Sequence, residues 1–426
     1  MSVYPIRAAS PEPVFAVLTT RTRPAAWWEQ VVVGIWVLCT FIVFPGNAFL
    51  LYPCALIFLA LFFVYRDVTV PIALRAPLLL MVPVLGVLST GWSSVPAETF
   101  RVGAMMVLNF FIMVTIAARL DRRQIVRAVF FAGIVAIVIA APLINTFDRG
   151  GPYGSKNIFA IRMLICLLAS LAVMFESKEH ILVRLLAVPV AGVALVFTLA
   201  ADSATALVFA VVAVVVMTGL WMFWQPVSRV RHLRSFVMLM LIVVLGGGLI
   251  AFLAMPNNSL VNDFLAAVGK DATLTNRTIF WEMGNRVAKE NPWFGTGLEV
   301  FWQRDSGPAQ TLNEIDHKAF GTKLSFHNTY IEIKVALGLV GMYALITAIT
   351  WSYIRTVFNW FRTQGMAASF FLTTATVILI STFTESYMSG AFDTFVLLFY
   401  LGALTGLAEK YHAGQRQYVR LNPEPA

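Results

Sequence analysis

A succession of long apolar runs limits what this chain can fold into more than any other feature. Twelve runs lie near 29–45, 48–65, 76–90, 101–118, 125–142, 157–175, 181–199, 203–223, 235–254, 328–351, 367–384 and 389–407. A hydrocarbon core about 30 Å thick needs roughly 20 apolar residues of helix per crossing, and most of these runs are near that length. They are uniformly apolar rather than alternating, so they predict helices and not barrel strands. The third run is short and interrupted at Pro83, which leaves eleven or thirteen as neighbouring counts. With 59% apolar and 12% charged residues, the chain has about half the charge of a water-soluble domain. The expected fold is all-α, a polytopic membrane protein with about 12 transmembrane helices and short helices in one large loop.

Lys and Arg set the expected orientation. Nineteen of the 31 fall in connections and tails on one side, and the short connections opposite hold only Arg101, Arg149 and Lys156. The predicted order is a cytoplasmic tail at 1–28, spans 1–9 in 29–254 and a large periplasmic loop at 255–327. Three further spans follow in 328–407, and a second cytoplasmic tail in 408–426. The first 28 residues show no cleavable signal pattern. The net charge of +9 sits in short inner-face connections, where it answers anionic lipid headgroups. Membrane lipids are therefore expected partners and nucleic acid is not. Cys39, Cys54 and Cys166 all fall in apolar runs and read as small packing residues. No HExxH, Cys/His cluster, phosphate-cradling glycine loop or Gly-x-Ser-x-Gly elbow occurs, so neither metal nor cofactor is expected.

The polar residues near the outer ends of the runs carry the chemistry. A Gly-rich turn at 145–157 ends in Lys156 and Asn157 just before a span. A helix N-terminus there favours an anion, so the pair fits a phosphate contact; a Lys snorkelling to headgroups is the plainer alternative. Arg162 lies five residues further in, about 7–8 Å deeper at 1.5 Å per residue. A cation at that depth is costly unless paired or wet, which points to a polar cavity or to snorkelling. In the long loop, Ile279, Met283 and Val287 at four-residue spacing predict a short amphipathic helix over 275–290, opened by Arg277. Arg286 and Lys289 on it read as solvated. His327 stands at the water–lipid boundary, where an imidazole can take a proton. Seven-residue spacing is expected to align His327, Tyr330 and Lys334 on one stripe, with Glu332 on another face.

Four segments resemble the O-antigen ligase and Wzy-type polysaccharide polymerase superfamily of bacterial inner-membrane glycosyltransferases. They are Leu88–Arg101 with its Trp92–Ser93 pair, Gly154–Asn157, Arg277–Trp281 followed by Asn291–Gly297, and His327–Glu332 followed by Gly338–Gly341. One departure is plain: Asp202–Ser203–Ala204 stands where many relatives carry Ser followed by a cation.

The resemblance implies a bacterial inner-membrane enzyme that moves a glycan from undecaprenyl diphosphate to an acceptor hydroxyl on the periplasmic face. The transfer would be metal-independent and inverting. It assigns His327 and Arg277 to catalysis and Lys156, Arg162 and Asn157 to the donor diphosphate. Tyr330, Glu385 and Trp281 are candidate acceptor contacts. The acceptor would be lipid A core in a ligase, or a growing lipid-linked polysaccharide in an O-antigen or exopolysaccharide polymerase. A transporter or flippase is the alternative of another class. Against it stand the absence of repeated halves in the sequence and the single long outer loop.

Overall fold

The structure, a computed structural model, describes residues 25–42, 44–230, 236, 277–363 and 365–421. Among them are fourteen α-helices and no strand. In chain order these are α1 (Trp27–Phe41), α2 (Asn47–Val64), α3 (Arg66–Ala73), α4 (Met81–Leu88), α5 (Pro96–Arg119), α6 (Arg122–Ala140) and α7 (Lys156–Phe175). They continue with α8 (Ile181–Ala200), α9 (Ala204–Arg229), α10 (Arg277–Glu290), α11 (Gly307–Ile315), α12 (Thr329–Thr363), α13 (Met366–Ser381) and α14 (Thr394–Leu421). The apolar runs are helical over most of their described residues; the run at 235–254 apart from Phe236, and the loop start at 255–276, lie outside them. Six helices (α2, α5, α6, α7, α8 and α12) are long and apolar enough to cross a membrane alone. The chain is a polytopic α-helical membrane protein.

The third run departs from expectation. Pro83 does not interrupt it, because it is the third residue of α4, where the first-turn N–H groups need no intrahelical partner. The break lies earlier, at Leu74–Ala76. Pro77 drives Ala76 out of the helical region (φ −127°, ψ 40°), and the axis turns by 81° between α3 and the segment Pro77–Gly91. Counted as one span, this bent pair would be a seventh crossing.

α7 is buried along most of its length and packs against α6, α8, α9 and α13. On the other side, α5 packs against α2, α4 and α14. α12 and α14 approach closely because Gly402 and Gly406 lie four residues apart, a small-residue spacing that lets membrane helices touch. A Cβ on Gly406 would collide with the Asn359 amide, whose Nδ2 donates to the Gly402 carbonyl at 2.9 Å. The described part of the long loop has a small core of its own, built on Phe280, Phe301, Trp302, Leu312 and Phe326 and seated on Val335 of α12. Loop and bundle are thereby one packed unit at the end where α7, α9 and α12 begin.

Candidate active site

The loop is fixed first through backbone. Gly338 interrupts α12 with φ +67° and ψ −166°, which strips intrahelical partners from the carbonyls before it and the N–H groups after it. In an apolar interior each unmet group costs several kcal/mol. The segment 291–297 meets them. Thr296 N donates to the Val335 carbonyl at 2.9 Å and Gly297 N to Ala336 at 2.8 Å. Leu339 N donates to the Pro292 carbonyl at 2.8 Å and Val340 N to Trp293 at 3.2 Å. A Cβ on Gly338 would collide with the Trp293 carbonyl, and one on Gly295 with Ala336. Asn291–Gly297 and Gly338–Gly341 are thus two halves of one joint.

The segment Leu88–Arg101 buttresses that joint. Thr99 Oγ1 donates to the Leu298 carbonyl at 2.7 Å, Leu298 N donates to Ser89 Oγ at 3.3 Å, and Trp92 meets Phe294 edge-on at 5.8 Å. These motifs hold the loop in place.

At the loop's edge three distant parts of the chain meet on a carboxylate supplied by a fourth. Arg277 Nη2 donates to Glu385 Oε1 at 2.7 Å, and Asn157 Nδ2 donates to the same oxygen at 2.8 Å. His327 Nδ1 lies 3.0 Å from Glu385 Oε2. The Glu385 side chain is 6% exposed, Arg277 14% and His327 33%, so the imidazole is the member that reaches solvent. Burial alone would raise the Glu385 carboxyl, but His327, Arg277 and Asn157 outweigh it and hold it below the ordinary carboxylate value. An ionised Glu385 accepts a proton-bearing Nδ1, which leaves the Nε2 lone pair as the basic position.

The residues after His327 build this geometry. Asn328 Oδ1 caps α12 by accepting from Tyr330 N at 3.0 Å and Ile331 N at 3.1 Å. Thr329 N donates to the Thr382 carbonyl at 3.0 Å, and its hydroxyl donates to the Glu385 carbonyl at 2.7 Å. His327 itself adopts φ +50°, a left-handed conformation that costs of order 1–3 kcal/mol and persists only where neighbours enforce it. The expected stripe of His327, Tyr330 and Lys334 is corrected here. His327 precedes the first turn of α12, so counting 100° per residue does not reach it. Tyr330 bonds Thr382 at 3.0 Å and meets Phe383 ring to ring in a tilted pair with centroids 5.0 Å apart, while Lys334 turns to Asn285 on α10.

The other expected residues fall in two groups. Asn157 belongs to the carboxylate cluster, and Lys156 beside it is partly exposed, 3.9 Å from the Asp202 carboxylate. Arg162 lies outside the cluster. It is buried, donates to the Thr40 carbonyl at 2.8 Å and to that of Phe41, and pairs with Asp393 at 3.0 Å. Those contacts cap the C-terminal end of α1, the role a cation takes at a helix end. Trp281 is partly buried and donates Nε1 to the Phe326 carbonyl at 3.0 Å. Arg286 and Lys289 are exposed. Glu385, expected at an acceptor, has both oxygens occupied within the protein. Ser203 was missed: its Oγ donates to Asn157 Oδ1 at 2.9 Å and so fixes the amide that faces Glu385. The signal was its place before an apolar helix, where Ser commonly caps.

Residues 189–346 match the family model described as O-antigen ligase, a stretch that holds Ser203, Arg277 and His327 but not Asn157 or Glu385. The chain is 27% identical over 263 residues to the exopolysaccharide production protein ExoQ of Rhizobium meliloti (strain 1021). That alignment covers 60% of this chain and 59% of the length of that protein. Over residues 189–346 the chain is similar to the O-antigen ligase family, and the likeness to ExoQ supports the resemblance of its four segments to the O-antigen ligase and Wzy-type polysaccharide polymerase superfamily.

Proposed function

We propose that the chain transfers a glycan from a polyprenyl diphosphate carrier to an acceptor hydroxyl at the periplasmic surface of the inner membrane. The observation that carries this is the Arg277–Glu385–His327 constellation at the loop-bearing end of the bundle. Glu385 holds Nδ1–H of His327, so Nε2 takes the acceptor hydroxyl proton. The acceptor oxygen then bonds to the anomeric carbon as the carbon–oxygen bond to the diphosphate breaks, with inversion. Charge accumulates on the departing carrier diphosphate. Arg277, whose guanidinium carries five N–H donors, and Lys156 stand where that charge develops, which is where electrostatic stabilisation accelerates most. Asn157, braced by Ser203, orients the carboxylate rather than binding phosphate. Arg162, spent on α1 and Asp393, takes no part.

The relative's description, exopolysaccharide production, fits the polymerase alternative, in which the acceptor would be a second carrier-linked glycan. The family model's description, O-antigen ligase, fits the ligase alternative, in which the acceptor would be lipid A core. Purified protein in nanodiscs, given labelled carrier-linked glycan and each acceptor separately, distinguishes them. A ladder on the carrier supports the polymerase, and label on the core supports the ligase. Absence of transfer to either would end the glycosyltransferase reading.

A further inference from the structure

A polar cleft lies beside the carboxylate cluster, on the far side of the turn that carries Glu385. Its inner part is a cavity of about 230 Å³ between the loop at 297–302 and 323–325 and the turn at 386–393. Its outer part, about 480 Å³, adjoins it and runs toward Val95–Glu98. Glu299, Trp302 and Lys323 line both parts. The inner volume falls below the roughly 300–1,000 Å³ of drug-sized sites, which suits one sugar ring.

The lining speaks for a polyhydroxylated, uncharged ligand. Ser386, Ser389, Tyr387 and Asp393 face Glu299 and Lys323 across the inner cavity. Its ions are matched within the protein, Glu299 with Lys323 and Asp393 with Arg162 at 3.0 Å, so the lining offers no spare cation to a phosphate or a sugar acid. An independent observation points to a missing partner. Tyr387 is 5% exposed, yet its hydroxyl has no hydrogen-bond partner among the described residues. Such an orphan is costly, and Tyr387 is one of the residues that line the cavity. Burial and the nearby Glu385 charge hold this phenol well above its ordinary pKa, so it stays a neutral donor and acceptor.

Position decides which substrate it serves. Arg277 and Lys156 line neither part, so the carrier diphosphate is elsewhere. Ser386 follows Glu385 in the chain, and Ser325 Oγ accepts from His327 N at 3.4 Å. Resting on the glycosyltransferase reading above, we propose that this cleft binds a neutral sugar of the acceptor, next to the unit whose hydroxyl faces His327.

Saturation-transfer NMR on the detergent-solubilised full chain tests it, with methyl glucoside, methyl galactoside and methyl mannoside as neutral probes and glucuronate as the charged one. At least one neutral probe should receive saturation and glucuronate should receive less. Ser389→Phe, which fills the inner cavity, should abolish the signal. Gln303→Ala in the outer part should weaken it, and this milder variant serves if Ser389→Phe fails to fold. In transfer assays both should raise acceptor KM, about tenfold for Ser389→Phe, with donor KM and kcat unchanged. Neutral probes that give no saturation, or give one indifferent to both variants, would overturn the cleft. Unchanged acceptor KM in a folded, active variant would do the same and leave the glycosyltransferase reading standing. Probe binding that responds to the variants, in a protein that transfers nothing, would do the reverse.

Discussion

Glu385→Gln is the most incisive perturbation because it alters one charge and almost no volume. Arg277 and Asn157 both donate to Oε1, at 2.7 and 2.8 Å, so the amide oxygen of Gln must take that position. Its NH₂ then replaces Oε2, 3.0 Å from His327 Nδ1. Two donors cannot share one hydrogen bond, so Nδ1 becomes the acceptor and the imidazole proton moves to Nε2. The base is lost while every neighbour stays in place. A positioned general base contributes about 10²–10⁴ in rate, and an amide swap behind a histidine base costs up to about 10⁴. Turnover should therefore fall by ~10³–10⁴, or about 4–5 kcal/mol at 1.36 kcal/mol per decade.

Stability should fall less. Arg277 keeps its hydrogen bond to the amide oxygen, so the loss stays below the ~3–5 kcal/mol of deleting a buried partner outright. The assay is single-turnover transfer in nanodiscs, with a melting curve on the same preparation and His327→Ala as the floor. A folded Glu385→Gln protein within about threefold of wild type would refute the tautomer argument.

Four further outcomes follow from the same contacts. Arg277→Ala should raise donor KM and lower kcat more than Arg277→Lys, since only the second keeps a cation at the leaving group; equal losses would remove Arg277 from the diphosphate. Arg162→Met should lower thermal stability by about 3–5 kcal/mol, because Asp393 and the α1 carbonyls lose their donor, while donor KM in the surviving folded protein is unchanged; a raised donor KM would restore it to the diphosphate site. Gly338→Ala forces a Cβ into the Trp293 carbonyl and holds Ala at φ +67°, so folded yield should collapse; wild-type yield and melting would show that the joint does not bear on folding. The Glu385 carboxyl is depressed below its ordinary 4.5, so its stabilisation is present above that pH and lost as pH falls through the lower folded value. Wild type should lose melting temperature relative to Glu385→Gln below about pH 4.5, and parallel curves would remove the carboxylate from the stability account.

The membrane helices were legible because apolar run length is a one-dimensional signal, and the loop helix at Arg277–Glu290 because its apolar residues recur every four. His327, Arg277, Lys156 and Asn157 could be picked out as polar groups where polar groups are costly. Their pairing could not. Glu385 looked like one more residue of the last turn, since nothing local marks a carboxylate whose donors come from residues 157, 277 and 327. Gly338 read as part of a motif, but its function depends on Trp293 and Pro292, more than forty residues away. Arg162 misled for a related reason. Sequence shows the cost of a buried cation but not its partner, and a helix end can absorb that cation as readily as a ligand can.

A carboxylate shared by a cation and a histidine has a consequence for how the two halves of the reaction are coupled. Arg277 enters from α10 of the loop, Asn157 from α7 of the bundle and His327 from the entry to α12, and each contact ends on Glu385. If a carrier diphosphate draws Arg277 away, Oε1 loses its strongest donor and the carboxylate charge falls more heavily on His327. With Arg277 withdrawn, the ionised carboxylate holds the His327 Nδ1–H more tightly and orders the imidazole, so donor binding would itself prepare the acceptor side. The reverse also holds, since linkage between two binding events is reciprocal. Coupling of this kind predicts that donor raises acceptor affinity in wild type and that Glu385→Gln abolishes the effect, even where residual binding of each substrate persists. Calorimetric titration of acceptor with and without donor measures it directly. An acceptor affinity indifferent to donor in wild type would mean that the shared carboxylate positions its two partners without linking them.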